Sequence, residues 1–163
     1  MKRNSFLIVL LSFGLMGPIY ASEPLAPLFK NCYKSEQTSF KMSFGPISTG
    51  FFKMFSKDLR ELGISEISIA VYDDAVEAMA KNDALNKLKK QTSFSDFPLL
   101  TLVKDEDTVV KVFGKEEGGF IKNLYLTIFD EKDKDIVLLH LKGKISLDNI
   151  AKITTSTQKK YGN

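Results

Sequence analysis

The chain has one histidine, His140, and one cysteine, Cys32, so imidazole and thiol chemistry can arise only at these two positions. A catalytic thiol needs a base to activate it, and the lone histidine is more than a hundred residues away in a stretch that alternates like a strand. Transition-metal sites usually need three or four imidazole or thiolate ligands, which one His and one Cys do not supply. Carboxylates are the remaining candidates. Asp73, Asp74 and Glu77 cluster at the start of a helical pattern, where capping and the helix dipole account for them. The acidic stretches "DEDTVV" and "DEKDKD" lack the alternating oxygen ligands, turn glycine and closing Glu of a calcium loop. They read as solvated hairpin tips. There is no phosphate-binding glycine loop, nucleophile elbow, His-Glu-x-x-His motif or cysteine pair. No catalytic, cofactor-binding or metal-ligating residue is therefore assigned. A carboxylate pair of the glycosidase type stays open, because nothing in the sequence selects a pair.

The remaining signal lies in the elements. At the N-terminus, "MKRNSFLIVLLSFGLMGPIYASEP" has a positive start at Lys2 and Arg3, a short apolar run, and a small residue, Ala21, before Ser22. This is the pattern of a secretory signal peptide over residues 1–21, cleaved between Ala21 and Ser22. The apolar run is short for a span of about 20 residues, so no stable membrane span is expected after cleavage. Loss of Lys2 and Arg3 leaves 21 basic against 20 acidic residues. This near-neutral balance, with Lys interspersed among Asp and Glu, argues against a nucleic-acid partner. The expected location is the periplasm or cell envelope. In an oxidising compartment Cys32 is either a buried free thiol or a link between two chains.

Residues 22–37 read as an N-terminal arm with one helical turn around Leu28 to Tyr33, residues 38–157 as a single domain and residues 158–163 as a tail. "TSFKMSFG" alternates and predicts a strand. Phe51, Phe52, Phe55, Leu59 and Leu62 then follow at helical spacing up to Gly63. "ISEISIAVY" is apolar on both faces, as an interior strand is. A helix from Asp73 or Asp74 to Lys90 would turn Val76, Met79, Ala80 and Leu88 inward. Beyond Pro98, four apolar runs separated by charged turns predict an antiparallel meander, with Gly118-Gly119 supplying positive φ in one turn. Leu147, Ile150, Ala151 and Ile153 close the chain at helical spacing, with Ser146 as the cap. The order β-α-β-α-β-β-β-β-α predicts an α+β fold of two layers, a mainly antiparallel sheet with helices packed on one face.

Alternation gives each strand two faces. Leu124, Leu126 and Ile128, with Val137, Leu139 and Leu141, form the expected core face. The opposite face carries Tyr125, Thr127, Phe129, Leu138 and His140, too apolar for a simple solvated surface. Two readings of that face stand side by side. It is a contact surface for a protein or envelope component, or it is the floor beneath the arm Leu25 to Tyr33 or one of the helices.

The stretch "GGFIKNLYLTIFDEKDKDIVLLHLKGKISLDNIAKI" resembles the C-terminal signature of a family of small exported bacterial proteins, domain of unknown function 4252. The resembling parts are Ile121 to Leu126 and Lys142 to Ile153, and "FGPISTGFFKMF" is similar to the family's first strand-to-helix passage. The resemblance spans Thr38 to Thr154. It implies a periplasmic or envelope setting and brings no catalytic residues. The expected function is that of an exported, non-enzymatic domain binding a protein or envelope component through a sheet face. The alternatives are a small-ligand-binding protein or enzyme with a cryptic carboxylate site, and a structural or oligomeric envelope component. N-terminal sequencing of the protein recovered from the envelope fraction is expected to start at Ser22; a chain that retains Met1 would contradict the cleavage.

Overall fold

A computed structural model of the chain describes residues 23–44 and 61–150. The expected cleavage site, most of the Phe51-to-Leu62 helix, the end of the final helix and the tail lie outside the described residues. The described chain runs α1 (Leu25–Lys34), β1 (Phe40–Phe44), β2 (Ile64–Tyr72), α2 (Ala75–Lys81), α3 (Asp83–Lys90), β3 (Leu99–Lys104), β4 (Thr108–Glu117), β5 (Phe120–Asp130) and β6 (Asp135–Ile145). One six-stranded sheet has the order β1-β2-β6-β5-β4-β3, and every neighbouring pair is antiparallel. The four-strand meander is β3 to β6, and β2 then joins the sheet against β6. Gly118 and Gly119 make the β4–β5 turn with φ of 64° and 83°, the positive values a two-residue hairpin of this kind needs. The β5–β6 tip is held by Asp130, whose Oδ1 accepts from the amides of Lys132 and Asp133. A helix starts at Leu147, directly after Ser146.

Both faces of the sheet are apolar. One carries Ile67, Val110, Val112, Leu124, Leu126, Ile128, Val137 and Leu141, joined by Ile150 from beyond β6. The other carries Ala70, Tyr72, Phe113, Tyr125, Phe129, Ile136 and Leu138, and α1, α2 and α3 pack over it through Leu25, Leu28, Phe29, Cys32, Ala75, Ala78, Leu85 and Leu88. The arm is thus a helix of three turns rather than one. Its prolines do not prevent this. Pro24 is the N-cap residue and Pro27 lies in the first turn, where backbone N–H groups have no intrahelical partner to lose.

The expected single helix from Asp73 or Asp74 to Lys90 is two. Asn82 ends α2 and its side chain accepts from the Ala84 amide to start α3. Asp74 caps α2 by accepting from the Glu77 amide at 3.0 Å, as expected of it, while the Glu77 carboxylate pairs with Lys81. The buried stripe is Ala75, Ala78, Leu85 and Leu88. Small alanines let α2 lie close to the sheet, and Val76 points to solvent, opposite to the expectation, as does Ala80.

The strongest polar anchor of this layer is Lys111 on β4, which is only 3% exposed. Its ammonium donates to the carbonyls of Leu88 at 2.9 Å, Lys89 at 2.6 Å and Gln91 at 2.8 Å. These are C-terminal carbonyls of α3, which lack partners within the helix, and the cation also meets the negative end of the helix dipole. Burial pulls the Lys111 pKa down, and its three charge-assisted hydrogen bonds offset that desolvation. Lys111→Met is expected to cost about 2–4 kcal/mol in urea unfolding, because it strands buried carbonyls; a loss below about 1 kcal/mol would show that water replaces the ammonium freely.

Candidate functional site

The register of the sheet lines up one row of side chains across all six strands beneath the helices. Ser43 is opposite Ser68, Ser68 opposite His140, His140 opposite Tyr125, Tyr125 opposite Phe113, and Phe113 opposite Leu99. Paired residues share a face, so the row runs from hydroxyls through an imidazole to aromatic and aliphatic groups. The next row toward one end is polar: Glu66, Lys142 and Asn123, with a Lys142–Glu66 ion pair at 2.7 Å. The next row toward the other end is Ala70, Leu138 and Thr127. Polarity therefore falls steadily along the strands under α1.

Tyr125 is the hub of this region. Phe29 of α1 meets it edge-on at 4.8 Å, Phe97 of the loop before β3 meets it edge-on at 4.9 Å, and His140 stacks on it at 4.2 Å with 8° between the planes. His140 Nε2 lies 3.0 Å from Asn123 Oδ1, which fixes the ring in its plane. Burial is the main cause that pulls the His140 pKa down to about 4, with the Lys142 charge adding to it and Glu66 opposing it. The imidazole is neutral at physiological pH.

α1 is tied down at both ends. Asp96, in the loop before β3, accepts from the amides of Leu25 at 2.6 Å and Ala26 at 3.0 Å. It caps a helix some seventy residues away in sequence, at the positive end of the helix dipole. At the other end the Tyr72 hydroxyl donates to the Cys32 carbonyl at 2.6 Å. Cys32 is a free thiol with no exposed surface. Burial pushes its pKa up to about 12, which keeps it protonated and unreactive. Of the two readings of Cys32, this is the buried thiol rather than an accessible link between chains.

Between α1 and the sheet is a cleft of about 320 Å³ lined by Ala26, Phe29, Lys30, Tyr33, Ser68, Tyr125, Leu138 and His140. The helix side is a single stripe at positions i, i+3, i+4 and i+7. The floor is the Ser68–His140–Tyr125 row with Leu138 behind it.

The expected contact residues are brought together, but on the helix-covered face instead of an open one. Tyr125, Thr127, Phe129 and Leu138 are at most 6% exposed and His140 is half-buried. The face is apolar because it is a second core layer. Only Tyr125, Leu138 and His140 reach the cleft; Thr127 and Phe129 do not, and the buried Thr127 hydroxyl oxygen makes no hydrogen bond. Sequence reasoning named the arm as one possible cover but not Ala26, Phe29, Lys30 and Tyr33 as its lining, because their helical spacing is visible only once Pro24 is allowed as the cap and Pro27 in the first turn. It also missed Asp96, for which no local signal exists.

This constellation is poor in catalytic geometry. Ser68 hydrogen-bonds to Ser43 at 3.0 Å and His140 to Asn123, so the hydroxyl and the imidazole are each committed elsewhere. Among the described residues no group of three or more His, Cys, Asp or Glu could hold a metal ion, and no helix is long and apolar enough to cross a membrane.

Fold and cleft together define a small α+β domain, built on an all-antiparallel sheet with a helix-walled apolar cleft. Within that class the chain belongs to the family described as domain of unknown function (DUF4252), which it matches over residues 45–153, more than half of its 163 residues. No curated protein and no solved structure matches it. α1 precedes the matched residues, yet it walls the cleft.

His140 gives the site a pH signature. Its folded pKa of about 4 lies below the unfolded value of 6.5, so the unfolded chain binds more protons between these pH values. Stability is therefore expected to fall as pH drops from about 6.5 to about 4, by roughly 3 kcal/mol from this group, and to be flat with respect to it above that window. His140→Phe keeps the stack and should remove this increment from the pH–stability curve. Parallel curves for the two proteins, or an NMR titration of the ring near 6.5, would contradict the neutral, buried assignment.

Proposed function

We propose that the chain is an exported, non-catalytic binding domain of the cell envelope, and that it binds through the cleft between α1 and strands β2, β6 and β5. The observation that carries this reading is the cleft itself. Its walls are mainly apolar and aromatic, with a few polar groups at one end, the usual make-up of a ligand pocket. At about 320 Å³ it sits at the low end of pocket sizes, which run from ~300 to 1,000 Å³. A ring or a short acyl chain fits; a dinucleotide does not. An envelope component offering such an apolar group is the fitting partner.

A broad protein-docking face is less well supported. Among the described residues, the exposed large apolar ones, Phe40, Val76, Leu102, Phe120 and Leu147, belong to five different segments. A few exposed apolar residues spread over separate segments are ordinary surface. Export is supported by the N-terminal sequence pattern and by the envelope setting that the family resemblance implies.

The cleft reading is tested with the neutral apolar fluorophore N-phenylnaphthylamine. The wild-type domain is expected to enhance its emission saturably. Ala26→Trp, which fills the cleft from the α1 side, should abolish the enhancement while circular dichroism stays unchanged. Equal enhancement by a folded Ala26→Trp protein would place the bound dye elsewhere and remove the support for this site.

A further inference from the structure

We propose that the cleft selects amphipathic anions, small molecules with an apolar body and a carboxylate or similar head, with Lys30 receiving the head group. The inference rests on the cleft reading above and adds the chemical class of the ligand. The floor grades from Leu138 and Tyr125 at the apolar end to His140 and Ser68, and then to the Lys142–Glu66–Asn123 row. A ligand lying along that gradient buries its body against the aromatic hub and keeps its head at the polar end.

The charges there favour an anion. Lys30 lines the cleft and is exposed. Lys30 forms no ion pair among the described residues. Glu66, the carboxylate on the polar row, is neutralised by Lys142 at 2.7 Å. Asp96, whose charge reaches Tyr125, is held by the Leu25 and Ala26 amides at the N-terminal end of α1, where the helix dipole offsets that charge. One uncommitted cation, Lys30, therefore lines the cleft. The neighbouring imidazole and serine hydroxyl are held by Asn123 and Ser43 and bring no charge of their own at neutral pH.

The discriminating experiment titrates the mature domain with octanoate and with octanol at low ionic strength and neutral pH, following ligand-induced shifts by NMR. Lys30→Gln and Ala26→Trp are titrated alongside. Ala26→Trp should abolish binding of both ligands. Lys30→Gln should weaken octanoate by about three- to fivefold, the size of one partly exposed charge pair, and leave octanol unchanged. If Lys30→Gln leaves octanoate affinity intact while both ligands still compete for the cleft, the anionic class is overturned and the cleft reading survives. If the wild-type domain binds neither ligand, or Ala26→Trp binds both as wild type does, the cleft reading falls together with this inference.

Discussion

Strands β5 and β6 are apolar on both faces, and the rest of the structure follows from that constraint. Leu124, Leu126, Val137 and Leu141 on one side, and Tyr125, Phe129, Ile136 and Leu138 on the other, are all buried. Leaving either side in water would forgo about 25 cal/mol for each Å² of apolar surface. A central antiparallel strand with two apolar faces needs a layer on each. On the side of Tyr125 that layer is α1, α2 and α3, and α1 comes from the segment before the family-matched residues. The cleft is the place where that cover ends and the polar rows of the sheet begin.

Covering a sheet with helices buries helix ends, and their backbone groups need partners. Three long-range contacts supply them. Asp96 meets the N-terminal amides of α1, Tyr72 meets the Cys32 carbonyl near its C-terminus, and Lys111 meets the last carbonyls of α3. Each joins segments far apart in sequence, so each stabilises the layer as well as a single helix. The same layer removes water from His140. The neutral ring stacked on Tyr125 is a consequence of burial in a row whose polar neighbours are already hydrogen-bonded. Its solitary position in the chain suggests chemistry; its surroundings make it part of a binding wall.

Alternation in β2 and in the meander, the Gly118-Gly119 turn and the Asp74 cap were legible because each is a local pattern with a local cause. The two-faced apolarity of "NLYLTIF" and "IVLLHL" was legible too, but a period of two cannot say whether the second face meets solvent or a helix. That depended on α1, whose stripe of Leu25, Leu28, Phe29 and Cys32 is masked by Pro24 and Pro27. The break at Asn82 escaped because an Asn inside a helical pattern signals a new cap only when the next amide is seen to use it. The Asp96 and Lys111 contacts are tertiary, and no spacing in the sequence encodes them.

The central claim is that α1 is a fixed wall of the domain, and that the cleft exists because it is docked. Native-state amide hydrogen exchange on the mature chain tests this most directly. Docking predicts that the amides of Phe29 and Cys32 exchange with free energies approaching those of the β5 and β6 amides, and that Asp96→Asn lowers protection in α1 more than in the strands. Exchange of the α1 amides at free-peptide rates, with the sheet fully protected, would contradict it.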